Sequence, residues 1–236
     1  MAKDLPLHEQ THEQIMLSRG LKIPFYRELM PWATRRALRR ENYEFRESEA
    51  VLKMVTPEDV VLELGGGIGY MSALIETHCK PVKIHSYEAN PTLMPIIDRV
   101  QELNNITTVT MHNKLLAKRK TKPVDFYVRE EFLSSSMDRD SNPNGIVSTE
   151  KIEVDNINTV LKTLKPTFLV CDIEGAEAEL FTGVDLSCLR AAVIELHPQW
   201  IGQTGVQAVF DAMHAAGLTF YPRTSNKKVV AFMKGW

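Results

Sequence analysis

The sequence predicts an α/β fold: a Rossmann-like, doubly wound, seven-stranded and mostly parallel sheet. Three observations predict it. From about residue 44 onward, short apolar strands alternate with helical segments, a rhythm that places helices on both faces of a parallel sheet. Residues 60–70, VVLELGGGIGY, run a buried strand directly into a glycine-rich turn and a helix. An acid, Glu88, ends the following strand, and in such sheets ligands bind beyond the carboxyl ends of the strands.

Residues 1–43 stand apart from this rhythm. They hold Pro6, Pro24 and Pro31, and a charge-dense run, RRALRRENYEFRESE, begins within them. THEQIMLSRGL and PWATRRALRRENY read as helices separated by prolines. The segment is therefore expected to be a helical N-terminal extension, acting as a lid or a dimer contact, with residues 44–236 as the main domain.

In that domain EFRESEAVLKMV reads as a helix, TPED as a turn and VVLEL as the first strand. GYMSALIETHC is a helix and VKIHSYEA a strand. PTLMPIIDRVQELNN is helical, with Pro95 in the first turn, where its missing N–H is tolerated. ITTVTMHN is the third strand. Residues 114–165 then break the pattern: strand-like DFYVRE and KIEVDNI flank a polar loop, an inserted hairpin before the fourth strand. Long polar loops in compact domains are functional or disordered. FLVCDIEG, AEAELFTG and AAVIELHP read as strand, short helix and strand. VQAVFDAMHAAG is a helix closed by Gly217. LTFYPR and KVVAFMK pair around TSNK and are expected to supply one antiparallel edge strand.

Composition narrows the function. Of 236 residues, 44% are hydrophobic and 25% charged, as in ordinary globular proteins. The net charge of −2 gives no bulk attraction to nucleic acid or to a membrane. No apolar run is long enough to span a bilayer. Cys79, Cys171 and Cys188 are widely spaced and form no C-x-x-C pair, which argues against a zinc site or a disulfide framework and fits a reducing compartment. The polar N-terminus has no apolar signal core. A cytoplasmic protein is expected.

Three patterns compete for the glycine stretch. A phosphate loop needs a Lys after the glycines, and none follows. A nicotinamide fingerprint, G-x-G-x-x-G, is met by Gly65 and Gly67 but fails at Tyr70. The pattern acid-x-G-x-G-x-G is filled by Glu63, Gly65, Gly67 and Gly69. Glycines let the backbone approach a ligand where a β-carbon would clash. S-adenosylmethionine has no phosphate, and its ammonium would be stabilised by a carboxylate such as Glu63. Glu88 can accept both ribose hydroxyls, although nicotinamide enzymes place an acid there too. The rival without a ligand is a tight strand–helix turn.

With Glu88 in place, more of the chain can be compared. YEANPTLMPIIDRVQELNN, TMHNKLLA, LVCDIEGAEAELFTG and VIELHP together resemble the FkbM-type methyltransferases, class I enzymes that use S-adenosylmethionine, many of them O-methyltransferases. The resemblance covers residues from about 44 to 236, and DIEGAE followed by IELHP is its most specific part. The chain departs from the family where Asp and Gly-Ala-Asn often stand, having Glu63 and three glycines instead. The resemblance implies a cofactor site lined by Glu63, Gly65, Gly67, Gly69, Tyr70, Glu88, Asn113 and Asp172. Asn113 faces the adenine or merely caps a loop.

Methyl transfer from a sulfonium is an in-line displacement in which alignment does most of the work, and a hydroxyl acceptor gains from a general base. Asp172 and Glu174 share a face if their strand continues. Glu195 and His197 are spaced the same way. His197, with a pKa near working pH, leads as the base, with pocket-shaping as its rival role. Glu177 reads as a first-turn helix acid favoured by the dipole. Asp172, Glu174, Glu195 and His197 also offer metal ligands, but no metal is expected. Ser134, Ser135 and Ser136, with Glu195, are assigned to the substrate, and solvent exposure is the alternative for the serines. The expected reaction is O-methylation of a sugar or natural-product hydroxyl, with a small-molecule partner. The alternatives are an NAD(P)-dependent oxidoreductase and an inactive cofactor-binding partner module.

Overall fold

A computed structural model describes residues 14–27, 30–119, 122–129 and 145–236. The chain opens with a hairpin, β1 (Ile15–Ser18) and β2 (Leu21–Pro24). This corrects the helix expected over THEQIMLSRGL. Met16, Ser18, Leu21 and Ile23 are buried while Ile15, Leu17 and Lys22 are exposed, a period of two about a turn that places Arg19 and Gly20 at φ 48° and 81°. The hairpin is pinned to the body by Asn104, whose side chain both accepts from Lys22 N and donates to Lys22 O at 2.8 Å.

Helix α1 (Trp32–Arg39) follows Pro31, and α2 (Phe45–Met54) precedes the first sheet strand, β3 (Val60–Leu64). Then come α3 (Tyr70–Cys79), β4 (Lys83–Tyr87), α4 (Met94–Leu103) behind a short 3₁₀ turn, and β5 (Val109–His112). The insertion supplies β6 (Leu115–Ala117), β7 (Val124–Arg129), β8 (Ile146–Ile152) and β9 (Val154–Asn156). β7 and β8 form the expected hairpin, and β6 pairs with β9 in parallel. Helix α5 (Ile157–Leu164) is capped by Asn156, whose side chain accepts from Thr159 N at 3.0 Å. β10 (Phe168–Cys171), α6 (Glu177–Phe181) and β11 (Ala191–Glu195) follow. α7 (Pro198–Ala215) is broken at Gly202, and β12 (Thr219–Phe220) and β13 (Val229–Met233) end the fold.

The sheet has seven strands in the order β12-β13-β11-β10-β3-β4-β5, the doubly wound arrangement that the sequence predicts. One detail differs. The antiparallel strand β13 is not at the edge; it lies between β11 and β12. Its VVAFM sequence is buried on both faces, whereas the two residues of β12 are exposed, so burial decides which strand takes the rim. Alternation along β3 sends Val61 to the core shared with α2, α3, α4 and the hairpin, and Leu62 and Leu64 to the core under α5–α7. Glu63 points to the Val61 side. Among the described residues no helix is long and apolar enough to cross a membrane.

The amino ends of the strands are tied by one charged knot. Asp59 is 1% exposed. It accepts from Thr56 N, Thr167 Oγ1 and Arg190 Nε, each at 2.7 Å, while Arg190 also reaches Met54 O at 2.6 Å. Burial opposes ionisation, but Arg190, Thr167 and Thr56 outweigh it and hold the Asp59 carboxyl below its ordinary range. Asp59→Asn is expected to cost about 2 kcal/mol, reduced from the value for a sealed pair because Arg190 can turn partly to water. Urea midpoints should show this cost in full at pH 7. It should shrink below about pH 4, where the carboxylate of the unmodified chain is itself being protonated.

Candidate active site

The glycine turn joins β3 to α3, with Gly65, Gly67 and Gly69 at φ 87°, 52° and 76°. Each glycine has a different reason to lack a side chain. A β-carbon on Gly65 would lie 1.8 Å from the Asp172 carbonyl oxygen, because the ends of β3 and β10 converge there. One on Gly69 would come within 3.2 Å of Ile97. One on Gly67 would meet nothing within 4 Å among the described residues, so Gly67 borders space that they leave open. Gly65 N and Gly66 N donate to Tyr87 O at 2.9 and 3.0 Å, anchoring the turn to β4.

Two acids flank this turn. Glu88 accepts from Gly67 N at 2.8 Å and Asn90 N at 2.7 Å. Burial raises its carboxyl, and these backbone donors offset only part of the rise. Glu63 is 1% exposed, and among the described residues neither of its oxygens has a partner within strict hydrogen-bond geometry. Burial pushes it up to about 7, with the Ser86 and Ser72 hydroxyls lying close enough to offset part of the effect. A buried carboxyl so placed is costly to ionise in the protein alone.

Two other residues of the expected cofactor set have visible structural duties. Asn113 donates to Glu88 O at 2.9 Å and Ala89 O at 3.1 Å, fastening the loop after β4. The Tyr70 side chain is buried in the core beneath the hairpin, edge-on to Tyr43 at 5.1 Å.

Across the same rim lies a cluster of acids around one imidazole. His197, at the start of α7, is 2% exposed. Its Nδ1 is 2.7 Å from Glu177 Oε1. Its Nε2 is 3.2 Å from Glu174 Oε2, 3.5 Å from Asp172 Oδ1 and 3.9 Å from Glu195 Oε1. β10 has ended by Asp172, and Glu174 and Gly175 turn the chain with φ of 51° and 102°. Glu174 therefore reaches the cluster through a left-handed turn, not through strand alternation. Glu177 is the first-turn acid of α6, as expected, and it does more: it is fully buried and holds the imidazole. Lys228, just before β13, contacts Glu195.

The electrostatics follow from crowding. Burial, then the charges of Glu195 and Glu174, push Asp172 up to about 8. Burial disfavours the imidazolium of His197, but Glu177, Glu174 and Asp172 outweigh it and raise its pKa. Glu47 of α2, half-buried beside Glu195, is pushed up to about 7 by desolvation. Asp172, Glu195 and His197 each present a ligand atom, and these atoms all lie within 4.8 Å of one another.

Several contributors were not singled out from the sequence. Glu47 lies in a charge-dense run whose arginines turn elsewhere: Arg36 stacks on Trp32, and Arg35 and Arg39 on Phe25. Lys228 needs the Glu195–Val229 register between β11 and β13, which no local signal announces. Trp200 is 59% exposed and packs over Gly175, where a β-carbon would fall 2.7 Å from the Trp200 β-carbon. Ser134, Ser135 and Ser136 lie outside the described residues.

No family model matches the chain, and no curated protein matches it. Solved structures do. Trm5b from Pyrococcus abyssi superimposes with a TM-score of 0.50 at 12% identity, covering 93% of this chain and 54% of that one. TYW2 from M. jannaschii, determined with AdoMet, gives 0.49 at 13% identity over 97% and 90% of the two chains. A precorrin-6y C5,15-methyltransferase from Geobacter metallireducens gives 0.49 at 12% identity over 90% and 94%. The chain thus spans about half of Trm5b and most of the other two. At such identities the likeness is one of fold: the chain has a methyltransferase-like, Rossmann-like α/β fold.

Proposed function

We propose that the protein is an S-adenosylmethionine-dependent methyltransferase that O-methylates a hydroxyl of a small molecule. The observation that carries this reading is the glycine turn: space that the described residues leave open at Gly67, an acid at Glu88 that accepts from Gly67 N, and a buried carboxyl at Glu63 on the strand leading into the turn. These residues fit the cofactor. Glu63 answers its ammonium, Glu88 its ribose hydroxyls, and the bare backbone of the turn its sulfonium-bearing chain. The cofactor supplies an already activated methyl group. The resemblance of DIEGAE and IELHP to FkbM-type enzymes supports oxygen as the acceptor atom.

The chain's own contribution is to align and deprotonate. Asp172 stands where the turn and the acid cluster meet, since its backbone touches Gly65 and its carboxyl faces His197. Glu177 fixes the His197 ring, leaving Nε2 as the nitrogen that can take the acceptor's proton. Trp200 offers an aromatic platform at the mouth for a sugar or ring system. The same mouth, lined by Asp172, Glu174, Glu195 and Glu47, repels a phosphate backbone, which favours a small neutral or cationic acceptor over RNA.

Calorimetric titration with S-adenosylmethionine, S-adenosylhomocysteine and NAD tests the reading. Micromolar binding of the two sulfur ligands is expected, weakened about 100-fold in Glu88→Ala as charge-assisted bonds are lost. Binding of NAD alone would sink it in favour of an oxidoreductase. Release of S-adenosylhomocysteine on adding hydroxyl acceptors separates an enzyme from a cofactor-binding module.

A further inference from the structure

We infer that Asp172, Glu195 and His197 form a binding site for one divalent cation of the Mn²⁺ class, next to the glycine turn. The ligand atoms are already gathered, all within 4.8 Å of one another. They come from the ends of two adjacent parallel strands, so their spacing is set by the sheet. Two carboxylates and one imidazole form a mixed oxygen–nitrogen set suited to Mn²⁺.

The surroundings of the imidazole point to a ligand independently of the acids. His197 is 2% exposed, and its Nδ1 is spent on Glu177, itself fully buried. A carboxylate behind one ring nitrogen is the outer arrangement that orients the other nitrogen onto a metal. That other nitrogen, Nε2, faces the carboxyls of Glu174, Asp172 and Glu195. Asp172 Oδ1 is enclosed, and among the described residues it has no hydrogen-bond partner, only the 3.5 Å approach of His197 Nε2. A cation placed among these atoms would satisfy both.

Charge balance agrees. The groups facing the site are Asp172 after β10, Glu174 in the turn, Glu177 on α6, Glu195 on β11 and Glu47 on α2, set against Lys228 before β13. Among the described residues, one lysine and one histidine do not balance these carboxyls once they are all ionised, and a divalent ion would let them ionise together. The inference leans on the methyl-transfer reading only for the ion's role. With Nε2 engaged, His197 ceases to be the base. The acceptor's hydroxyl proton then passes to Glu174, which is half exposed at the mouth, as the oxygen–methyl bond forms and the sulfur–methyl bond breaks.

The test is titration of the EDTA-stripped, dialysed full chain with MnCl₂, following the paramagnetic resonance signal of free Mn²⁺, with no S-adenosylmethionine present. One Mn²⁺ per chain is expected to bind. Asp172→Asn and His197→Gln should each weaken binding at least about tenfold, with circular dichroism confirming their fold. Lys228→Met changes a half-exposed lysine and removes a competing charge from Glu195, so it should tighten binding by about fivefold. The inference is overturned if the full free-ion signal persists up to about 1 mM. It also falls if Lys228→Met and the folded Asp172 or His197 variants bind as the unmodified chain does. Because no cofactor enters this titration, its failure leaves the cofactor reading standing, and failure of the cofactor titration leaves this one intact.

Discussion

Gly65→Ala and Gly67→Ala are expected to fail in opposite ways, although the two glycines are two residues apart. At Gly65 the new methyl would be driven to 1.8 Å from the Asp172 carbonyl oxygen. That neighbour is backbone on an adjacent strand, held by Asp172 N donating to Leu64 O at 2.9 Å, so it cannot step aside cheaply. Strand separation or local unfolding should follow, with a loss of at least about 3 kcal/mol. At Gly67 the methyl meets no atom of the described residues within 4 Å. A φ of 52° is open to alanine at a cost of about 1 kcal/mol, so the variant should keep nearly its full thermal midpoint. Its cofactor affinity should nevertheless drop about 100-fold, because the methyl occupies the space into which the ligand comes. Thermal melts and calorimetry on the two variants check both halves. Undiminished affinity in Gly67→Ala would show that no ligand approaches the turn at that point.

Glu63→Gln should stabilise the protein while weakening its ligand. The carboxyl of Glu63 is pushed up from 4.5 to about 7 by burial. A carboxyl whose folded pKa lies above its unfolded value makes the folded state hold an extra proton between those two pH values. Stability is therefore lost as pH rises through this window, and the loss is complete above about pH 7. The shift corresponds to about 3 kcal/mol. Glutamine has no charge to bury, so at pH 8 the variant should unfold at higher temperature than the unmodified chain, and at pH 4.5 the difference should vanish. Binding should move the other way. The ammonium of S-adenosylmethionine needs the ionised carboxylate, so the dissociation constant of the unmodified chain should rise about tenfold from pH 8 to pH 6. In Glu63→Gln it should be weaker throughout and flat over that range. A pH-independent affinity in the unmodified chain would remove Glu63 from the site.

The sheet was legible because its signals are local. VVLEL, FLVC and AAVIE are apolar runs of strand length, and their buried neighbours are other strands of the same kind. The glycine turn and its two flanking acids were legible for the same reason, since Glu63, the glycines and Glu88 sit at strand ends that can be counted along the chain. The N-terminal hairpin was not. Met16, Leu21 and Ile23 suit a helix face as well as alternation, and the deciding turn uses Arg19 in a left-handed conformation, which its residue type does not advertise. The acid cluster was half legible. Asp172, Glu174, Glu195 and His197 were named from their motifs, but the burial of Glu177, the approach of Glu47 and the place of Lys228 depend on how α6, α2 and β13 pack. Those are contacts between residues far apart in sequence, and composition near each residue does not encode them.

The position of β13 sets the order in which the site can mature during synthesis. The glycine turn and its two acids are drawn from β3, β4 and the turn between β3 and α3, and with β5 these lie within residues 60–112. Those parallel neighbours can zip together early, while the ribosome is still making the insertion. The acid cluster cannot close so soon. β11 gains its second hydrogen-bonded neighbour, and Glu195 its lysine, only when residues 228–233 have emerged. Until then a nascent chain carries Asp172, Glu174 and Glu195 crowded together without Lys228, on a strand edge still open to wrong pairing. The acid cluster is thus assembled last and is the half most exposed to misfolding.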